Sequence, residues 1–347
     1  MKTALRLQEE LSSYFETGAF VRPRSVAVLL PCHNEEATIQ GVIAGFRQAL
    51  PGAAIYVYDN NSTDRTAQIA AAAGAVVRHE RYQGKGNVVR RMFADIDADV
   101  YVLADGDLTY DASAAGRLVD ALVDNNADMV VGVRVSKGDA FRPGHRAGNR
   151  FFNVLVARLF GNGFSDILSG YRVMSRRFAK SFPAASSGFE IETELSVYAL
   201  DLKLATVEIP LAYGERPENS KSKLRTYRDG LRILGTIVMM YRALKPAPFY
   251  GLIALGLAIV SLAIGAPVLV EYLRTGLVPR LPTALVAAAI MQLGFLSLVC
   301  GIIIDAVGAN RREFKRMQYL QLPAPSQARP LPPSRDAGDE LEQRRAG

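Results

Sequence analysis

Asp105-Gly106-Asp107 sits inside the stretch VYVLADGDLTY, Val100–Tyr110. Two carboxylates one residue apart are hard oxygen donors, and such donors hold a divalent cation that also touches a diphosphate. The five apolar residues before them, Val100–Ala104, suit a buried strand. The acids would then stand at its carboxyl end, the edge at which open α/β sheets bind ligands. Alternation along an extended segment places Asp105 and Asp107 on one side. Asp and Gly also make ordinary polar turns, and the tripeptide alone does not separate the two readings.

Similar polar loops follow other apolar runs. Pro31-Cys32-His33-Asn34-Glu35-Glu36 comes after Val26–Leu30, and Asp59-Asn60-Asn61-Ser62 comes after Ala54–Tyr58. Each also reads as a plain loop or a capped turn. Gly84-Lys85-Gly86 has the residues to set a lysine and backbone N–H groups on a phosphate. No GxGxxG follows the first apolar run, which disfavours a dinucleotide oxidoreductase.

The elements that must position these loops alternate. A helix is expected over Glu36–Leu50, closed by Pro51-Gly52, and another after Ser62, Thr63 and Asp64, which can cap it. A short strand at Val76–Val77, a helix after Gly86, the strand ending in Asp105 and a strand at Asp128–Val133 follow. This alternation predicts an α/β fold: a mostly parallel sheet covered on both faces. Leu7, Leu11 and Tyr14 give residues 1–22 the spacing of an amphipathic helix, broken by Arg22-Pro23-Arg24. The tail from Pro323, rich in Pro, Arg and Glu, reads as disordered.

The chain has 347 residues, enough for one large domain with appendages, and 49% of them are hydrophobic. Ala247–Val270 and Leu281–Ile304 are each 24 residues without a charge, longer than the ~20 residues that cross a bilayer as a helix. Only Glu271–Arg280 separates them, so a hairpin is expected. Arg225, Arg228, Arg232, Arg242 and Lys245 precede it, and Arg311, Arg312, Lys315 and Arg316 follow it; the connecting loop has only Arg274 and Arg280. This bias predicts both chain ends on the cytoplasmic side of a cell (inner) membrane, crossed twice. The net charge of +7 is explained by these flanks and by scattered arginines, and basic residues beside the spans suit anionic lipid headgroups. No basic stripe interleaved with aromatics is present, so nucleic acid is not an expected partner. The start, MKTALRLQEELSS, lacks a long apolar core, and no secretory signal is expected. Cys32 and Cys300 give no disulfide framework.

Taken together, LPCHNEE, VYDNNSTDRT, GKG and ADGD resemble, in that order, the family 2 glycosyltransferases of the GT-A (Rossmann-like) fold. Gly132–Arg134 (GVR), Asp166–Arg172 (DILSGYR), Gly188–Leu195 (GFEIETEL) and Ser220–Leu234 resemble the polyprenyl-phosphate branch, which includes dolichyl-phosphate mannose synthase. The likeness covers about residues 25–235, and the hairpin extends it to about 316. The implied organisation is an N-terminal helix (1–24), a GT-A catalytic domain (25–224), interfacial helices (225–246), a transmembrane hairpin (247–307), and a basic segment with a disordered tail (308–347).

The resemblance implies roles. Pro31, Asn34, Glu35 and Asp59 would form the nucleoside pocket, and Lys85 would contact the diphosphate. Asp105 and Asp107 would be the DxD pair that meets nucleotide and metal, Mg²⁺ or Mn²⁺. The family often has Gln two residues past the second Asp; here Thr109 stands there, a poorer ligand. Arg134 and Arg146 fall where relatives hold the acceptor's phosphate, and Arg172, Lys221 and Lys223 are further cationic candidates. A loop past Pro143-Gly144 would fold back to bring Arg134 and Arg146 to one phosphate. The stretch Ile233–Tyr241, too short to span, would be an interfacial helix along which the lipid tail runs. Asp166 holds the position of the family's base. The implied reaction moves a sugar from a UDP- or GDP-sugar to a polyprenyl phosphate, inverting the anomeric centre. A phosphate monoester is largely dianionic at neutral pH and hardly needs a base, so Asp166 would mainly orient the site, with Asp107 the other acid at the reaction centre. Homo-oligomerisation is compatible with this reading. Two others compete. A processive polysaccharide synthase using a hydroxyl acceptor is similar, but those relatives carry QxxRW and this chain has no Trp. A non-catalytic GT-A membrane subunit is the other, against which Asp105, Asp107 and Asp166 stand intact.

Overall fold

The computed structural model describes residues 25–135, 143–214 and 226–325; the expected N-terminal helix, the end of the expected disordered tail, and Lys221 and Lys223 lie outside them. β1 (Val26–Cys32), β2 (Ala54–Asp59), β3 (Val76–His79), β4 (Val100–Leu103), β5 (Met129–Val135), β6 (Arg172–Ser175) and β7 (Thr206–Ala212) form one seven-stranded sheet in the order β3-β2-β1-β4-β6-β5-β7. β1 pairs in parallel with β2 and β4, and β5 with β7; β6 is antiparallel to both β4 and β5. The sheet is mostly parallel, as the alternation predicts.

Burial follows the two-residue period of the strands. Leu29, Tyr101 and Leu103 face one layer, formed by α3 (Lys85–Asp95), α6 (Arg176–Ser181) and α7 (Ile191–Leu202). Val28, Leu30, Val57 and Val102 face the other, formed by α1 (Ile39–Ala49), α2 (Thr66–Ala72) and α4 (Ala115–Asp124). Because both faces are covered, the central strands read as continuous apolar runs.

Two features carry the site. Strand order turns about β1, with β2 on one side and β4 on the other, so the loops after all three strands meet at one edge, the switch point of an open sheet. The second feature was not expected. β6 runs backwards, with Arg172 beside Leu103 and Val131, so its leading loop, residues 166–171, enters at that same edge.

α5 (Pro143–Phe160) and α8 (Thr226–Leu244) pack with α7 around Val156, Ile167, Val197, Ile233 and Ile237. Ile233 and Ile237 of the expected interfacial helix face the protein core, whereas Leu231 and Met239 are exposed on its other face. Pro143-Gly144 is not a returning turn but the start of α5, where Pro is well placed because its missing N–H has no intrahelical partner.

α9 (Pro246–Thr275) and α10 (Leu281–Leu320) form an antiparallel hairpin, each long and apolar enough to cross a membrane. Only 11% and 17% of their most apolar stretches are buried, the reverse of a soluble core helix. Close contact runs through small residues: Gly301 against Tyr250, Gly294 against the Ala254 carbonyl, and Ser261 Oγ donating to Ala287 O at 2.7 Å. α10 does not stop where its apolar run stops. Its last turns reach the sheet domain, where Tyr319 OH donates to Asp128 Oδ2 at 2.8 Å and the Arg177 guanidinium lies 4.8 Å from the Tyr319 ring. Cys32 is buried at the end of β1 and Cys300 lies in α10; they form no disulfide.

Candidate active site

The acid turn begins where β4 ends. Ala104 N still donates to Leu29 O, but Asp105–Leu108 is not extended, and Leu108 takes a left-handed conformation with φ 61°. Asp105 and Asp107 therefore do not share a side through strand alternation, as the sequence suggested. Asp107 is buried, its Oδ1 accepting from Thr109 N at 3.1 Å and Thr109 Oγ1 at 2.6 Å. Asp105 is more open and accepts from the Lys85 ammonium. Thr38 Oγ1 donates to Gly106 O at 2.6 Å and ties the turn to the loop after β1.

Lys85 is buried between two acids, Asp105 and Glu192 of α7, the latter at 2.5 Å. Burial alone would lower its pKa; the two carboxylates outweigh that and raise it, so the ammonium stays charged. The flanking glycines do not cradle a phosphate. Gly86 N donates to Gly188 O and Asn87 N to Ser187 O, so these amides are taken by the segment before α7. A Cβ at Gly84 or Gly86 would lie 2.1 or 2.2 Å from the carbonyl oxygens of Ser187 and Ser186. Close backbone approach explains both glycines, and of the GKG reading only the lysine is left.

The loops after β1 and β2 are stitched together. Asn34 N donates to Ser62 Oγ at 2.9 Å, Thr63 N to Asn34 Oδ1 at 2.7 Å, and Glu35 N to Thr66 Oγ1 at 2.8 Å. Pro31 lies in β1 opposite Tyr58, one register step before Cys32 and Asp59. Asp59 Oδ2 accepts from Ser62 N and pairs with His79 Nδ1, both at 3.3 Å, whereas its buried Oδ1 has no hydrogen-bond partner. An unpartnered buried carboxylate oxygen at a ligand-binding edge is a place for a ligand N–H or O–H.

On the other side of the acid turn, Arg134 of β5 holds Asp166. Nε donates to Oδ2 and Nη2 to Oδ1, each at 2.7 Å, and Asn149 Nδ2 adds a bond to Oδ1 at 3.3 Å. Burial would raise the Asp166 pKa, but the Arg134 hydrogen bonds and charge hold it below the usual carboxylate value. Tyr110 and Tyr213 fill the space between this pair and the acid turn. Their rings lie 5.4 Å apart, the Arg134 guanidinium is 5.6 Å from the Tyr213 ring, and Gly170 N donates to Tyr110 OH at 2.7 Å. Burial raises the Tyr110 pKa, with Arg134 and Lys85 lowering it and Asp105 raising it. A cavity of about 530 Å³ opens beside Asp105, between α1 and residues 108–113.

Not every expected residue is here. Arg172 is fully buried; its guanidinium donates to Ile167 O, Ser169 O and Ser196 Oγ, and burial lowers its pKa to about 10. It holds the 166–171 loop and has no surface to offer an acceptor, which removes it from the acceptor set. Arg146 lies on α5, with its side chain outside the described residues. Glu192, Asn149 and Tyr213 were missed. Glu192 lay in the GFEIETEL motif without a role; the others follow no local pattern that marks them.

The donor set fits a divalent cation of the Mg²⁺ or Mn²⁺ type. Asp105 and Asp107 are two hard carboxylates, and Asp105 already binds a cation, the Lys85 ammonium. Among the described residues no group of three His, Cys, Asp or Glu could hold a metal. Mg²⁺ is ordinarily bound by one or two carboxylates together with substrate phosphates and water, whereas zinc sites use three or four protein ligands.

Residues 27–182 match the family Glycosyl transferase family 2. Glycosyltransferase AglJ of Haloferax volcanii is 32% identical over 306 residues, covering 86% of this chain and 99% of that protein. Dolichyl-phosphate hexose transferase of the same organism is 31% identical over 215 residues, covering 61% and 92%. Among solved structures, glucosyl-3-phosphoglycerate synthase from Mycobacterium tuberculosis in complex with Mg²⁺ and UDP superposes with a TM-score of 0.52 at 25% identity, covering 62% of this chain and 79% of that one.

Proposed function

The chain belongs to glycosyl transferase family 2, and from that premise we propose that it is a membrane-anchored enzyme that moves a hexose from a nucleoside-diphosphate sugar to the phosphate of a polyprenyl lipid. Asp59, with its unpartnered Oδ1, and the stitched Asn34–Glu35 loop beside Pro31 would receive the nucleoside. Lys85 would meet the diphosphate. Asp105 and Asp107 would hold Mg²⁺ or Mn²⁺, which supplies positive charge against the leaving diphosphate.

One observation carries the choice of acceptor. Both oxygens of Asp166 are bound by Arg134, and the carboxylate is held ionised and weakly basic. A hydroxyl acceptor needs a base of pKa near the working pH; a phosphate monoester, with its second pKa near ~6, needs none. In this reading a lipid phosphate oxygen attacks the anomeric carbon as the bond to the diphosphate oxygen breaks. Nucleoside diphosphate leaves on the opposite face, so the configuration inverts. Asp166 takes the Arg134 fork and fixes the guanidinium, with its positive charge, at the edge where the phosphate would enter, and Arg146, Lys221 and Lys223 are further candidates for that charge. The names of relatives support a lipid-phosphate acceptor. The exposed apolar hairpin supports anchoring, and the basic flanks support a cytoplasmic catalytic domain. On this reading the chain divides as the sequence analysis expects, and the first part of the basic segment after residue 308 is the end of α10.

The test is a donor and acceptor panel. Purified protein in detergent is given radiolabelled UDP- or GDP-hexoses with either polyprenyl phosphate or the free polyprenol, and label in the lipid extract is counted. Transfer to the phosphate but not to the alcohol is expected. Equal or preferential transfer to the alcohol refutes the proposed acceptor.

A further inference from the structure

Lys85 stands between two acids with unequal access to the cleft. Asp105 is 30% exposed, whereas Lys85 and Glu192 are 7% and 6% exposed. Glu192 Oε1 binds the ammonium at 2.5 Å, and its Oε2, also buried, has no hydrogen-bond partner. Gly170 closes one side of the contact: a Cβ there would lie 2.8 Å from Asp105 Oδ2 and 3.0 Å from Lys85 Nζ. The lysine thus has one partner toward the cleft and one behind it, and the rear partner has an acceptor to spare.

We propose that Lys85 is an internal counter-cation that occupies Asp105 until the donor arrives, and that Glu192 is the positioning residue to which it withdraws. This rests on the reading of Asp105 and Asp107 as the donor's metal carboxylates. An ammonium and a divalent cation compete for one carboxylate and repel each other. A diphosphate gives Lys85 a new anionic partner, while Glu192 Oε2 accepts the N–H released from Asp105. Metal and nucleoside diphosphate then bind cooperatively, each raising the other's affinity by the same factor. Glu192 acts through Lys85 and need not touch the sugar.

The experiment titrates Mn²⁺ into the full chain in detergent and reads free Mn²⁺ by electron paramagnetic resonance. It is run with and without UDP or GDP, with neither sugar nor lipid present. In the wild type, one nucleoside diphosphate should tighten Mn²⁺ on the order of tenfold. In Lys85→Met, Mn²⁺ alone should bind more tightly than to wild type, and the nucleotide's tightening should shrink to what direct contact between metal and diphosphate supplies. In Glu192→Gln, which keeps the side-chain shape, Lys85 stays on Asp105: Mn²⁺ alone should bind more weakly, and the nucleotide's tightening should grow. A general charge effect would scale both affinities equally and leave that factor unchanged. An unchanged factor in Lys85→Met, or Mn²⁺ binding by Glu192→Gln identical to wild type, overturns the proposal and leaves the donor reading standing. If Lys85→Met fails to fold, Glu192→Gln decides alone. Wild-type protein that binds no Mn²⁺ with either nucleotide overturns the metal reading and this device together.

Discussion

Arg134 and Asp166 form a fork-to-fork pair, Nε to Oδ2 and Nη2 to Oδ1, each at 2.7 Å, at the edge where β5 ends and the loop before β6 begins. The pair joins two segments that the chain separates by 32 positions. It also decides the protonation state of the acid.

Its contribution to stability should depend on pH. Burial raises the Asp166 pKa, the Arg134 contacts lower it, and the net shift is downward. A carboxylate with a depressed folded pKa stabilises the fold above its unfolded value, about 3.9, and loses this as the pH falls through the folded value. Asp166→Asn should therefore lower the Tm at pH 7, and the gap to wild type should close below about pH 4. A gap that persists undiminished to pH 3 would place the stabilisation elsewhere.

The rate should follow the acceptor's ionisation and not that of Asp166. With polyprenyl phosphate, kcat/KM should rise through an apparent pKa near ~6, the second ionisation of a phosphate monoester. Asp166→Asn should lower the rate but keep this acid limb in place. Disappearance of the limb in the variant would make Asp166 the base and restore a hydroxyl-type mechanism.

Gly86→Ala probes the start of α3. A Cβ there meets Ser186 O at 2.2 Å, a clash with backbone that no rotamer relieves. A loss of about 1–3 kcal/mol is expected, seen as a lower Tm. Full stability with weakened nucleotide binding would instead return the glycine to the phosphate site.

Arg172→Met separates a structural arginine from an acceptor ligand. The change removes the charged donor from Ile167 O and Ser169 O in the core, while Ser196 Oγ keeps its bond to Glu192 O, at a cost of roughly 3 kcal/mol. Thermal stability should fall while the KM for polyprenyl phosphate in the surviving folded protein stays near wild type. A raised KM at unchanged Tm would show that Arg172 reaches the lipid.

The hairpin orientation is open to direct labelling. A single cysteine at Leu277, in the turn between α9 and α10, should react with an impermeant maleimide from the outside of intact cells. One at Gln321, after α10, should react only once the membrane is opened. The opposite pattern would invert the topology and place the catalytic domain outside.

What the sequence determined by itself is what neighbours along the chain determine. Continuous apolar runs marked β1, β2, β4 and β5, because strands covered on both faces need no polar side. Polar loops after them marked the edge at which we propose the donor binds, and charge-free stretches of 24 residues marked α9 and α10. What only the tertiary structure decided depends on pairings far apart in the chain. β6 is four residues long, too short for a period to show, yet its antiparallel insertion brings Asp166 to Arg134 and Gly170 to Asp105. Lys85 and Glu192 meet because α3 and α7 share one face of the sheet. Gly84 and Gly86 looked like a phosphate loop because glycine permits any close approach; here the approaching group is the backbone of Ser186 and Ser187. Arg172 was a candidate for the acceptor's phosphate because its motif carries the resemblance, and only the fold supplies the three oxygens that let it stay buried. Local patterns report which side chains a segment must hide; which distant group satisfies a buried charge is settled only when the segments pack.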